Sequence, residues 1–301
     1  MSHDPITFIS GSTPCDAWHF PAANDSLTTA AGRPVVVMAH GLGGTKDSGL
    51  ESFAEGLTAA GVDVFAFDYR GFGASGGEPR QVVSLAGQLE DYRAAMSAAA
   101  ALPGVDPQRL VLWGVSLSGG TVLAAAAGRP DVAAVIALTP LVDGMAAAKH
   151  AMASHRPGVM ARSAARGFAS RAATARGKAP VVMPLVGPPG TVAALSLDGL
   201  YERYTAIAGP TWRNEVGASI TLELGSHRPA RFAKQLTCPL LVQIADFDRS
   251  APPQAAAKAA FKGRAEVHHY PCDHFDVHVS GDWHEATIKH QVAFLRRKLG
   301  K

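Results

Sequence analysis

The chain has 301 residues, 47% hydrophobic and 18% charged, enough for one large α/β domain or a domain carrying an insertion. Its 28 Lys and Arg against 25 Asp and Glu give a formal net charge of +3, so composition offers no electrostatic case for nucleic acid as a partner. The start MSHDPITF lacks a basic stretch followed by an apolar one, and no apolar run approaches the roughly 20 residues that span a bilayer, so neither a secretory leader nor membrane insertion is expected.

In chain order, ITFIS (6–10) and DAWHF (16–20), separated by GSTPC, predict an antiparallel hairpin at one sheet edge. Apolar runs then alternate with helical stretches. PVVVMAH (34–40) precedes the helix ESFAEGLTAAG (51–61), and VDVFAFDY (62–69) precedes a helix within 82–102. RLVLWGV (109–115) precedes TVLAAAAG (121–128), followed by VAAVIALTP (132–140) and, much later, CPLLVQIAD (238–246). Apolar runs without alternation suit strands covered on both faces, and their alternation with helices suits a parallel, doubly wound sheet.

Between residues 144 and 230 the pattern changes. Residues 144–197 contain no Asp or Glu but carry Lys149, Arg156, Arg162, Arg166, Arg171, Arg176 and Lys178. With Phe168, Tyr201, Tyr204 and Trp212 the segment is too aromatic for disorder, and it reads as a mostly helical cap or lid inserted into a core made of 1–143 and 231–301. Its cations read as solvated helix faces. A sharper reading turns some of them toward the pocket, where they would favour monoesters of dicarboxylic acids. The three cysteines, Cys15, Cys238 and Cys272, form neither a disulfide framework nor a C-x-x-C pair and read as buried thiols in a reducing cytoplasm.

WGVSLSGG (113–120) carries the chemistry. A serine nucleophile for acyl transfer is aimed by a strained strand–turn–helix bend, with small residues two before and two after it. Gly114, Ser116 and Ser118 fill that pattern, and the apolar run ends at Val115, placing Ser116 at the strand tip. Ser118 then reads as a small spacer and helix N-cap. A base and an acid must follow in the order Ser, acid, His. ADFDRSAPP offers Asp246 and Asp248 after one strand, and VHHYPCDHFDVH offers His274 after the next.

HGLGGTKDS (40–48), FDYRGFGASGG (67–77), WGVSLSGG, PLLVQIADFDRSAPP (239–253) and YPCDHFDVH (270–278) together resemble an α/β-hydrolase of the bacterial esterase type, with WRNEV (212–216) similar to the end of its insertion. The resemblance implies Ser116, Asp248 and His274 as a triad, with the acid shortly before Pro252. It also implies an oxyanion hole from the Leu42 and Leu117 N–H groups, with His40 structural. Cys272 and Asp273 replace the family's usual Gly pair before the histidine, and Asp273 is placed to raise the pKa of His274. The expected activity is hydrolysis of a small-molecule carboxylic ester, without cofactor, falling below roughly pH 6 to 7 as His274 protonates. A peptidase, thioesterase, lactonase or carbon–carbon hydrolase would share the machinery. A binding protein without turnover and a homodimer stay open.

Two competing readings are weaker. GFGASG (71–76) matches G-x-G-x-x-G, but Gly77-Glu78-Pro79 stands where a phosphate-binding helix should begin. It reads instead as a turn after the fourth strand, with Asp68 and Arg70 as structural partners. His274, Asp276 and His278 alternate like metal ligands, but no second cluster completes a recognisable set.

Overall fold

The computed structural model describes residues 3–154 and 156–300. The chain runs β1 (Asp4–Ser10), β2 (Thr13–Phe20), β3 (Arg33–Ala39), α1 (Leu50–Thr58), β4 (Asp63–Phe67), α2 (Leu85–Ala100), β5 (Val105–Val115), α3 (Leu117–Ala126) and β6 (Val132–Leu138). Then come α4 (Gly144–Ser154), α5 (Pro157–Ala175), β7 (Val182–Met183), α6 (Leu200–Ile207), β8 (Val216–Gly217) and α7 (Ile220–Glu223). The last part holds β9 (Leu240–Ala245), α8 (Pro253–Lys262), β10 (Glu266–Tyr270) and α9 (His284–Leu299).

Eight strands form one sheet in the order β1-β2-β4-β3-β5-β6-β9-β10, parallel from β4 to β10 and antiparallel at the β1–β2 edge. The unbroken apolar runs follow from two-sided burial. Val35, Val37 and Ala39 of β3 join the core under α2, α3 and α8, while Val36 and Met38 join the core under α1 and α9. Each such Val or Met side chain contributes about 1.5–3 kcal/mol by leaving water.

Several boundaries differ from the sequence reading. Thr13, Pro14 and Cys15 belong to β2, so the hairpin turns tightly at Gly11 and Ser12, where Gly11 supplies a φ of 60°. β5 starts at Val105 because Arg33 pairs with Val105 before an irregularity, after which Val35 pairs with Leu110. Neither α8 nor α9 was foreseen. The buried face of α9 opens with His284, Thr287 and Gln291, so apolar periodicity does not mark it. These polar groups are satisfied: Gln291 accepts from Trp113 Nε1 at 2.9 Å and donates to Gln243 Oε1 at 2.7 Å.

The segment between β6 and β9 is helical through α4 and α5. Beyond them it is mostly turns, short helices and the small antiparallel β7–β8 pair, so it is less helical than expected. Its Met183, Leu185, Leu200, Tyr204, Ile207 and Val216 belong to the same apolar cluster as β3 and β5. All seven cations between 149 and 178 are exposed. None of the seven lines either of the cavities beside Ser116, so the pocket-facing reading gains no support: they sit on α4, α5 and the chain flanking α5, where water solvates them.

The GFGASG loop folds back over Asp68, as the turn reading required. Asp68 accepts from the Lys46 backbone N–H at 2.6 Å, Lys46 Nζ at 2.7 Å and the Ala74 N–H at 3.0 Å, while Arg70 pairs with Asp91. The next helix, α2, begins only at Leu85.

Candidate active site

β4 and β5 lie on opposite flanks of β3, so chain leaving β3 and β5 opens a crevice at their carboxyl ends. Ser116 stands there, immediately before α3, with φ 55° and ψ −116°. That backbone is strained for a residue with a side chain and typically costs about 1–3 kcal/mol. It is held on both sides. The Ser116 N–H donates to the Leu138 carbonyl at 2.9 Å, and its carbonyl accepts from the Leu141 N–H at 2.8 Å. Glycine at 114 is compulsory, because a Cβ there would lie 2.3 Å from the Ser118 carbonyl oxygen.

Ser118 is buried below this turn. Its hydroxyl donates to the His40 carbonyl and lies 2.7 Å from the Tyr69 hydroxyl. The N-cap role expected for it is incorrect. α3 begins at Leu117, so Ser116 occupies the capping position and Ser118 lies in the first turn. Leu117 is therefore the first helical residue, whose N–H has no partner within its own helix.

Asp248 and His274 come from the loops after β9 and β10. His274 Nδ1 lies 2.6 Å from Asp248 Oδ2, and both side chains are almost fully buried. Asp248 Oδ1 accepts from the N–H groups of Ser250 and Ala251 at 2.7 and 2.6 Å. Asp246 points elsewhere, to His269 at the surface. Burial alone would lower the His274 pKa. The charge and hydrogen bond of Asp248 outweigh it, Asp273 adds to them, and the net shift is upward. Asp273 is itself held by Arg249, and the Asp273 side chain accepts the His274 N–H.

The loop after β3 arches over Ser116. A Cβ on Gly41 would sit 3.0 Å from Ser116 Cβ, so only glycine passes comfortably. His40 Nδ1 lies 2.9 Å from the Gly41 carbonyl oxygen, and the Tyr204 hydroxyl donates to the Leu42 carbonyl at 2.9 Å. Because a trans peptide sets C=O and N–H in opposite directions, fixing the Gly41 carbonyl also aims the Leu42 N–H. Burial lowers the His40 pKa, so the ring is held in its neutral form.

Ser116, His274, Gly41, Leu42, Tyr204 and His278 line one cavity of about 740 Å³. Sequence reasoning missed Tyr204 and His278 as site residues. Burial, then His274 and His284, lower the His278 pKa to about 3, and its Nδ1 finds no hydrogen-bond partner among the described residues. Asp276, the middle member of the H-x-D-x-H pattern, pairs with Arg203 and accepts the Asp273 N–H. Among the described residues, no three His, Cys, Asp or Glu groups are placed to hold a metal ion. Burial is also the main reason the Cys272 thiol is pushed up to about 12, so it is no competing nucleophile.

A family model described as serine aminopeptidase, S33 (Hydrolase_4) matches residues 30–272. The quorum-quenching protein AidA of Acinetobacter baumannii is 35% identical over 295 residues, 97% of this chain and 94% of that protein. The thiohydrolase apmlB of Arthrinium phaeospermum is 29% identical over 285 residues, covering 89% and 90% of the two chains. In fold, the chain matches the crystal structure of the α/β hydrolase GrgF from Penicillium sp. sh18 with a TM-score of 0.81 at 24% identity, over 99% of both chains. With the strained serine turn and the parallel sheet, these likenesses establish that the chain is a serine hydrolase of the α/β-hydrolase superfamily and belongs to the serine aminopeptidase S33 family.

Proposed function

We propose that the protein hydrolyses carboxylic esters through an acyl-enzyme on Ser116. One observation carries the reading: Ser116 on its strained turn shares a cavity with a histidine whose Nδ1 is locked by a buried carboxylate. With Nδ1 engaged, Nε2 is left to take the serine proton as Oγ attacks the ester carbonyl. The oxyanion that forms is received by the Leu42 and Leu117 N–H groups. His274 then returns its proton to the leaving alcohol as the carbon–oxygen bond breaks. A water, deprotonated by the same nitrogen, releases the acid and restores Ser116. Asp248 holds the ring in the productive tautomer and stabilises the imidazolium. The segment from 144 to 230 serves as the lid over this site.

A second reading, thioester hydrolysis, is favoured by the thiohydrolases among the relatives. It uses the same steps with a thiol leaving group. Labelling with a fluorophosphonate, followed by turnover of matched p-nitrophenyl esters and N-acetylcysteamine thioesters, tests both. An adduct on Ser116 with faster ester turnover supports the first reading. Faster thioester turnover supports the second, and failure to label Ser116 overturns the enzyme reading.

A further inference from the structure

A second cavity, of about 1120 Å³, adjoins the first. Leu42, Ala194, Leu195, Leu224 and Ser250 line both. Its far walls are the facing sides of α4 and α5, where Ala147, Ala148, Val159, Met160 and Ala164 line it, and Ile220 of α7 closes it. The alanine-rich character of this segment gains a physical meaning here. Small side chains on two helices that border the same space leave open a volume that Leu or Phe would fill.

We propose that this cavity is the binding site for an unbranched, uncharged acyl chain whose carbonyl end lies at Ser116, a substrate assignment that rests on the hydrolase reading above. Three observations support the choice of occupant. The lining is mostly apolar, with Ser163, Ser196, Thr221 and Ser250 among the alanines and leucines, which favours a methylene chain over a charged group. Among the described residues its charged member is Arg249, whose guanidinium is engaged by the Asp273 carboxylate and the Asp198 carbonyl, so no free cation waits for a terminal carboxylate. His274 and His278 line the first cavity and not the second. The leaving group must stay beside His274, which protonates it, so the arm running away from the histidines belongs to the acyl side.

The test is a p-nitrophenyl series of acetyl, butyryl, octanoyl and dodecanoyl esters, with a parallel acetate series in which only the alcohol lengthens. The expected result is a kcat/KM that rises about fourfold per added acyl methylene, until the cavity is full, and a much flatter alcohol series. Ala164→Phe, which fills the cavity from α5, is expected to lower the octanoyl-to-butyryl ratio of kcat/KM by tenfold or more. Ala148→Leu, from α4, repeats the test should the first variant fail to fold. An acyl series without length dependence, a dependence on alcohol length instead, or an unchanged ratio in a folded variant would overturn the proposal. These results leave the hydrolase reading standing. That reading fails separately, if Ser116→Ala still cleaves the butyryl ester.

Discussion

Arg249 grips Asp273 through two nitrogens, Nε at 2.8 Å and Nη2 at 2.5 Å, both donating to the same carboxylate oxygen, and the Arg249 backbone N–H donates to the other oxygen at 3.1 Å. Burial pushes the Asp273 carboxyl up, but these bonds and the His274 N–H bring it below its ordinary value, so it is ionised beside the candidate base. The groups facing His274 are thus Asp248, Asp273 with its Arg249 counter-ion, and the neutral His278.

A pH profile should read this balance. In the proposed mechanism His274 works as the neutral imidazole, so kcat/KM should be lost as pH falls through its pKa, which is shifted above that of an ordinary histidine. Arg249→Gln leaves the Asp273 charge uncompensated and should move the acid limb to higher pH. Asp273→Asn removes a charge that favours the imidazolium and should move it to lower pH. Limbs that stay put in both variants would show that the pair does not act on His274.

The two serines of WGVSLSGG should separate cleanly. Ser116→Ala is expected to lower kcat by a factor on the order of 10⁶ without lowering the melting temperature, since it relieves nothing buried. Ser118→Ala leaves the buried Tyr69 hydroxyl short of a partner, costing about 1–3 kcal/mol of stability, while most activity remains. Urea melts and ester turnover of the two variants check both halves. Reversed results would mean that Ser118 is the nucleophile.

Tyr204→Phe removes the hydroxyl that fixes the Leu42 carbonyl. The loop carrying the Leu42 N–H then loosens, and kcat should fall about tenfold with little change in KM. An equal fall in affinity for a substrate and for a ground-state analogue would point to lost packing instead.

Gln291→Leu breaks the buried chain from Trp113 through Gln291 to Gln243. Trp113 Nε1 loses its acceptor and Gln243 loses a donor, so a loss of about 1–3 kcal/mol is expected by denaturant unfolding. A neutral substitution would show that the chain is not a stabilising one.

The same network explains what the sequence concealed. The sheet was legible because β3, β6 and the second half of β5, from Leu110 to Val115, are buried on both faces and carry uninterrupted apolar runs. The serine turn was legible because its sterics demand Gly114 and leave a residue signature. α9 left no such mark, since its inner face opens with the polar His284, Thr287 and Gln291 before Phe294 and Leu295. The cations of α4 and α5 were equally silent, because a run of Arg reads the same whether it faces water or a pocket. Tyr204 and Arg249 act through long-range contacts, among them Leu42 and Asp273 at 162 and 24 positions away, that no local pattern encodes.

Among the described residues β10 is the outermost strand on its side, paired with β9, and His274 stands on the loop that follows it. Ser116 and the loop carrying Leu42 hang from interior strands instead. Edge strands open more readily than interior ones. Fraying of β10 would displace His274, the proposed base, while the rest of the sheet stays intact. On heating, hydrolytic activity should therefore disappear before the far-ultraviolet circular dichroism of the sheet does, a gap that would make thermal inactivation a local event.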